Sequence, residues 1–331
     1  MPEPNVSPLF NHAKADIILR SSDGVEFRLH EVILEMASPI FCDMFTLPQE
    51  ASQGDRAQVV DVSETARTLE DLLSFCYPME RSEFLQLSRL RAVLHAAMKY
   101  DMAFLVKILK RNLTLFLPSE PLRIYAIACL TEDRDLARAA AKRLLDCPFP
   151  GFAFPPNPPP EYDILPATVL QTVHEYREKC AEAARAVFLD HKWMCSEARG
   201  RTISVSKKGN ANLSQTWAWL ACDSVSCAKS PTSLNVHGQR NCTVYPRAWW
   251  QKYSDSAAKE LALRPFGSTL ARAELTEPAI AEAAKCKTCG PKAAEDLKEY
   301  IDAMVKRVDE AISKIEITLS FVKGDGKGNT A

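Results

Sequence analysis

Two short apolar runs on either side of an Asp-Gly pair constrain the start of this chain more than any other feature. Residues 15–20 read Ala-Asp-Ile-Ile-Leu-Arg, residues 25–29 alternate Val-Glu-Phe-Arg-Leu, and Ser-Ser-Asp-Gly fills 21–24 between them. Asp-Gly in that position predicts a tight hairpin, with both central residues at positive φ. Alternation then turns Val25, Phe27 and Leu29 to the inner face of the return strand.

Helical spacing takes over at Val32, Ile33, Leu34 and Met36 and stops at Ser38, because the residue before Pro39 is pushed out of the α region. Ile40, Phe41, Met44 and Phe45 then mark a second short helix. Gln58 to Val62 reads as a third strand. Thr65 to Tyr77 reads as a helix with Leu69, Leu72, Leu73 and Cys76 on one face, ended by Pro78. Two further helices are predicted at about 85–99 and 101–117. The sum is an α+β module, a small sheet capped by helices. It has no glycine-rich phosphate loop, no paired catalytic carboxylates at a readable spacing and no nucleophile elbow.

This ordered text resembles the BTB/POZ domain. The family pattern places an Asp at the first strand, a hairpin, Phe-x-x-His before the first helix, and then Ser-Pro-x-Phe-x-x-Met-Phe. Here those positions are Asp16, Phe27, His30, Ser38, Pro39, Phe41, Met44 and Phe45. The resemblance covers 15–118, and it points to a fungal-type BTB protein with a helical, Cys/Trp-bearing C-terminal region. It implies protein–protein contact without catalysis: self-association, repressor recruitment, or docking to a cullin-type ubiquitin ligase scaffold. The four aromatic and methionine positions read as core packing, and His30 as a residue bonding backbone groups at a strand-to-helix corner.

Three departures narrow the implication. Dimerising long-form members carry an extra strand and helix ahead of the core. The polar residues 1–14 are too few for both and read as a disordered arm, which argues against a swapped dimer and leaves a smaller helical homodimer interface open. Repressor-type members pair the strand Asp with a base after the histidine, but Glu31 stands there and would repel Asp16. Cullin-binding members place an apolar-x-Glu motif after Met-Phe, where this chain has Gln49 within 46–52.

The remainder reads as a mostly α-helical region: a helical pair over 119–147, an extended proline-rich connector over 148–163, and a helix over 164–198. A Cys/Trp region at 199–290, a long amphipathic helix at 291–322 and a disordered tail at 323–331 complete it.

All five tryptophans lie between 193 and 250. Within the same region Cys222 and Cys227 form C-x4-C, and Cys286 and Cys289 form C-x2-C followed by Gly290. Two close thiol pairs are what tetrahedral Zn²⁺ needs. Lysines at 285, 287 and 292 favour thiolates at the second pair. Fifty-eight residues separate the pairs, longer than in a compact zinc ribbon, so structural zinc, scattered reduced thiols and redox chemistry all stay open. His237 and Cys242 are alternative ligands.

Residues 199–252 hold eight Lys/Arg against the single acid Asp223, and 245–253 interleave bases with aromatics. That combination suits base stacking by a nuclear, transcription-linked regulator. No zinc-finger spacing or homeodomain-like helix accompanies it, and the whole-chain net charge of −1 supplies no pull toward nucleic acid. Folded tryptophan core is the commoner outcome. No apolar run of about 18 residues is present and the N-terminus lacks a secretion signal, so an intracellular protein of nucleus or cytoplasm is expected, with no membrane partner. The eleven cysteines are then thiols or metal ligands rather than disulfides, and Cys42, Cys76, Cys129, Cys147 and Cys180 read as buried thiols.

Overall fold

The computed structural model describes residues 5–46, 58–81, 83–147, 160–195, 204–205, 211–212, 216–237, 241–319 and 321. They fall into two units, Met1–Glu120 and Pro121–Ala331.

In the first unit β1 (Val6–Asn11), β2 (Ile17–Arg20) and β3 (Glu26–Leu29) are followed by α1 (Glu31–Ala37) and α2 (Pro39–Thr46). β4 (Gln58–Asp61), α3 (Ala66–Leu73), α4 (Leu87–Lys99) and α5 (Ala103–Leu113) complete it. The sheet order is β1-β3-β2-β4, with β2 and β3 antiparallel and both outer strands parallel to their neighbours. At the hairpin only Gly24 takes a positive φ, 81°, rather than both central residues. The Gly24 N–H donates to the Ser21 carbonyl at 3.0 Å and the Ser21 N–H to the Val25 carbonyl at 2.9 Å. This is the three-residue loop in which one left-handed glycine closes the turn, and a side chain there would be strained.

The described part of the 1–14 segment is not the disordered arm that its polarity suggests. Val6–Asn11 form an edge strand paired in parallel with β3 of the same chain, and Phe10 is fully buried against Phe27 and Tyr77. Its register shifts between Val6 and Asn11, and Pro8 sits where an edge strand tolerates a missing donor.

Ile17, Leu19, Phe27, Leu29 and Phe41 meet Leu69, Leu72, Leu90, Val93, Leu105 and Leu109 in the core. Each such side chain contributes about 1.5–3 kcal/mol on burial. The Ser-Pro step has a mechanical role. The Ser38 hydroxyl accepts the Phe41 N–H at 3.1 Å and donates to the Tyr100 carbonyl at 2.5 Å. Ser38 thereby caps α2 while Pro39 occupies its first turn, and the Phe41 ring stacks on Tyr100 at 4.4 Å.

The second unit is mostly helical: α6 (Pro121–Leu130), α7 (Arg134–Leu144) and α8 (Ala167–Leu189) come first. Two-residue strands β5 (Ser204–Val205) and β6 (Ala211–Asn212), the short α9 (Ala218–Ala221) and the hairpin β7 (Leu234–His237) and β8 (Asn241–Val244) follow. α10 (Ala248–Leu263), α11 (Ala273–Ala284) and α12 (Gly290–Ser313) close the unit. The long C-terminal helix thus stops at Ser313 rather than running to 322; the β-branched text of Ile315, Ile317 and Thr318 resists the helix. The connector residues 148–159 and the tail 322–331 lie outside the described residues.

Buried Arg177 on α8 donates to the carbonyls of Leu144, Cys147 and Leu263, holding the ends of α7 and α10. Fully buried Glu161 takes a bidentate pair from Arg123 at 2.9 and 3.0 Å. Trp217, Trp219 and Trp250 stack in series at 5.0 and 5.5 Å, with Trp193, Trp249 and Tyr300 at their edges and faces.

Candidate functional site

The four cysteines singled out by spacing come together. The sulfurs of Cys222, Cys227, Cys286 and Cys289 all lie within 4.8 Å of one another. Cys222 Sγ is 3.8 Å from Cys286 Sγ, and Cys227 Sγ is 3.9 Å from Cys289 Sγ. Four sulfurs at about 2.3 Å from a tetrahedral Zn²⁺ stand about 3.8 Å apart. The close contacts run between the two pairs, which corrects the reading of scattered thiols. The described parts of His237 and Cys242 do not include their side chains, so those alternatives lie outside the described residues.

Local chemistry builds each half of the cluster. Cys286 follows the end of α11 and Cys289 precedes α12, so the C-x2-C pair is the turn between two helices. The Gly290 N–H closes it onto the Cys286 carbonyl at 2.8 Å. A Cβ on Gly290 would stand 3.3 Å from the Ala284 Cα, a tight contact that would push the turn away from the end of α11 by a few tenths of an ångström. Burial pushes the Cys286 thiol up, but the Cys289 and Thr288 amides aimed at its sulfur outweigh this and hold it down at about 6. Burial pushes Cys289 up, although the Trp249 indole beside its sulfur works the other way.

Cys222 ends the four-residue α9, and Cys227 ends the turn that follows. α9 is too short to hold itself. Its first amide, Ala218 N–H, donates to Asp296 at 2.6 Å, and Asp296 lies two turns into α12. Arg247, buried at the start of α10, donates to the carbonyls of both Cys222 and Cys227. Spacing alone did not reveal Arg247, Trp249 or Asp296; each reaches the site from a distant part of the chain.

In the N-terminal unit the signature residues sit at the junctions of the elements. The Asp16 carboxylate accepts the Glu31 N–H at 2.7 Å and so caps α1. Glu31's own carboxyl is raised by burial, then by Glu35 and Asp16. His30 departs from the expectation of a backbone-bonding side chain. Its backbone N–H donates to the Tyr77 hydroxyl at 2.9 Å, its Nδ1 stands 3.4 Å from the same hydroxyl, and its ring faces His12 at 5.0 Å. Phe27 and Phe41 are fully buried, whereas Met44 and Phe45 are only half-buried; Phe45 stacks on Phe41 at 5.9 Å.

Residues 7–116 match the model of the BTB/POZ domain family. The N-terminal unit is a BTB/POZ domain. No curated protein matches the chain to a significant degree. The family match begins inside β1, so the edge strand is part of the domain. BTB/POZ domains are protein–protein interaction modules. This one exposes an apolar stripe on α1 and α2, with Met36 85% exposed, Val32 57% and Ile40 38%. Residues 47–52, which carry Gln49, lie outside the described residues.

The described aromatic rings of 199–253 serve mostly as folded core rather than as an open stacking surface. All five tryptophans and Tyr253 are buried in their own unit, and Arg247 is buried beside the cysteines. Among the described rings of 245–253, Tyr245 alone faces solvent, 52% exposed, and a single ring makes no stacking platform for successive bases. Among the single cysteines, Cys129 and Cys180 are buried, while Cys42, Cys76 and Cys147 are half-buried. Burial pushes Cys76, Cys129 and Cys180 up to about 11. Among the described residues no helix is long and apolar enough to cross a membrane.

Proposed function

We propose that this chain is a non-catalytic adaptor. Its BTB/POZ domain grips a protein partner through α1 and α2, and its C-terminal unit is locked by a structural Zn²⁺ into a rigid body that presents a second surface. The observation that carries the reading is the exposed Val32, Met36 and Ile40 stripe on a domain of an interaction family. Covering an exposed Val, Ile or Met side chain completely stabilises a contact by about 1.5–3 kcal/mol. A second copy of the chain is among the partners that fit.

Zn²⁺ fits Cys222, Cys227, Cys286 and Cys289 by sulfur spacing and by donor set. Four protein sulfurs leave no open position for a water, so the ion's role is structural. None of the nine described cysteines forms a disulfide, which suits a reducing compartment.

Met36→Glu tests the interaction. Sedimentation velocity and affinity capture should show the wild-type chain associating, with a second copy or another protein, and the variant losing that association at unchanged circular dichroism. A variant that keeps every wild-type partner would overturn the assignment.

A further inference from the structure

Resting on the zinc reading above, we infer that Arg247 is the positioning residue of the metal centre, fixing its first ligand pair and supplying its counter-charge. The two pairs are not held alike. Cys286 and Cys289 are fixed by the helices on either side of them and by the Gly290 turn. Cys222 and Cys227 lie on a turn whose middle is exposed, with Val225 entirely in solvent. Something else must set the spacing of that pair, and Arg247 does so. One guanidinium nitrogen donates to the Cys227 carbonyl and another to the Cys222 carbonyl. A planar fork with a fixed separation between its donors holds two carbonyls at a fixed separation, which a single ammonium cannot do.

The residue is itself anchored. Its backbone N–H donates to the Trp219 carbonyl at 2.9 Å, and it bridges Lys229 in antiparallel fashion. The Ala248 N–H donates to the Ala228 carbonyl at 2.9 Å, just beyond Cys227. Two residues further on, the Trp249 indole lies beside the Cys289 sulfur. One short segment at the start of α10 therefore reaches both halves of the cluster.

Charge gives an independent argument. Arg247 is 3% exposed, and among the described residues no carboxylate is paired with it. A buried guanidinium bonded only to neutral carbonyls is destabilising without a counter-charge nearby. Four thiolates around one divalent ion leave the centre net negative, next to the two carbonyls that Arg247 holds. The cation and the thiolate–metal centre thus neutralise one another.

The test uses the full chain as wild type, Arg247→Met and Arg247→Lys. Zinc affinity is read by competition with a chromophoric chelator, and site geometry by the charge-transfer and d–d bands of the Co²⁺-loaded protein. Arg247→Met should weaken zinc about 10–100-fold, the usual scale for a group that orients metal ligands, and should broaden the Co²⁺ bands. Arg247→Lys, which keeps the charge without the fork, should lose about tenfold and is read even if the methionine variant does not fold. Wild-type affinity and an unchanged Co²⁺ spectrum in a folded lysine or methionine variant would overturn the role of Arg247 and leave the metal site standing. A wild-type chain that holds no zinc and takes up no Co²⁺ would overturn the metal site, and this inference with it.

Discussion

Ser38 meets Tyr100 across 62 positions of sequence, and Cys222 meets Cys286 across 64. The two contacts close loops of nearly the same length in different ways. In the BTB/POZ domain closure comes from a hydroxyl that caps α2, a stacked Phe41–Tyr100 pair and a sheet whose inner face is Ile17, Leu19, Phe27 and Leu29. Every element there contributes area to one core. In the C-terminal unit the described elements between α8 and α10 are too short to hold themselves: two two-residue strands, a four-residue helix and a hairpin of four-residue strands. Those pieces are tied by four sulfurs, by Arg247 and by Asp296. A chain with enough apolar surface in each element folds on packing alone, whereas one built of fragments needs cross-links at fixed points.

The contrast breaks most clearly at the proposed zinc site. Replacing Cys286 and Cys289 by Ser, or removing the ion with a strong chelator, should unfold residues 216–313 while leaving the BTB/POZ domain folded. Structural zinc sites contribute on the order of 10 kcal/mol to folding. The five tryptophans all lie in the C-terminal unit, so a red shift of tryptophan emission reports that unit alone. Hydrogen exchange followed by peptide mass reports the other.

The converse variant is Phe41→Ala. Emptying a fully buried ring position should cost about 3–5 kcal/mol in the BTB/POZ domain. Chemical denaturation should show the loss in exchange of residues 17–46, with tryptophan emission unchanged at low denaturant. An equal loss in both units would mean that they do not fold as separate cores.

A smaller effect is expected at Asp16. Asp16→Ala removes the carboxylate that accepts the first amide of α1, at a cost of about 0.5–2 kcal/mol, and should raise exchange over 31–37 first. This tests whether the family's strand aspartate acts here as a helix cap.

Glu64 gives a pH dependence specific to the BTB/POZ domain. Burial raises its carboxyl, but the Tyr100 hydroxyl at 2.5 Å and the Lys99 ammonium at 2.9 Å outweigh burial and hold it below its ordinary value of 4.5. A folded state with a depressed carboxyl binds fewer protons than the unfolded chain. The stabilisation is therefore present above the ordinary value and is lost as pH falls through the folded one. Urea midpoints of the domain should fall as pH drops below the ordinary carboxylate value, and Glu64→Gln should flatten that slope. An unchanged slope in the variant would assign the acid sensitivity elsewhere.

Much of the BTB/POZ domain was legible because its signals are local. A left-handed glycine, a proline after a capping serine and apolar residues at helical spacing each specify their own element. β1 escaped because an edge strand with Pro8 and a register shift buries little beyond Ser7 and Phe10, and its alternation is too broken to read. The sulfur pairs were legible as two short motifs, but their meeting was not, since it depends on where α12 and the start of α10 pack. Arg247 and Trp249 looked like a nucleic-acid surface for the same reason. A base among aromatics reads alike whether it faces solvent or a buried thiolate cluster, and only burial separates the two.

Native mass spectrometry of the full-length chain purified without added metal tests the central claim most directly. One zinc ion bound per chain, lost together with the compact fold of the C-terminal unit when the ion is stripped, is the predicted result. A chain that stays compact and metal-free, with Cys222, Cys227, Cys286 and Cys289 all open to alkylation, would contradict it.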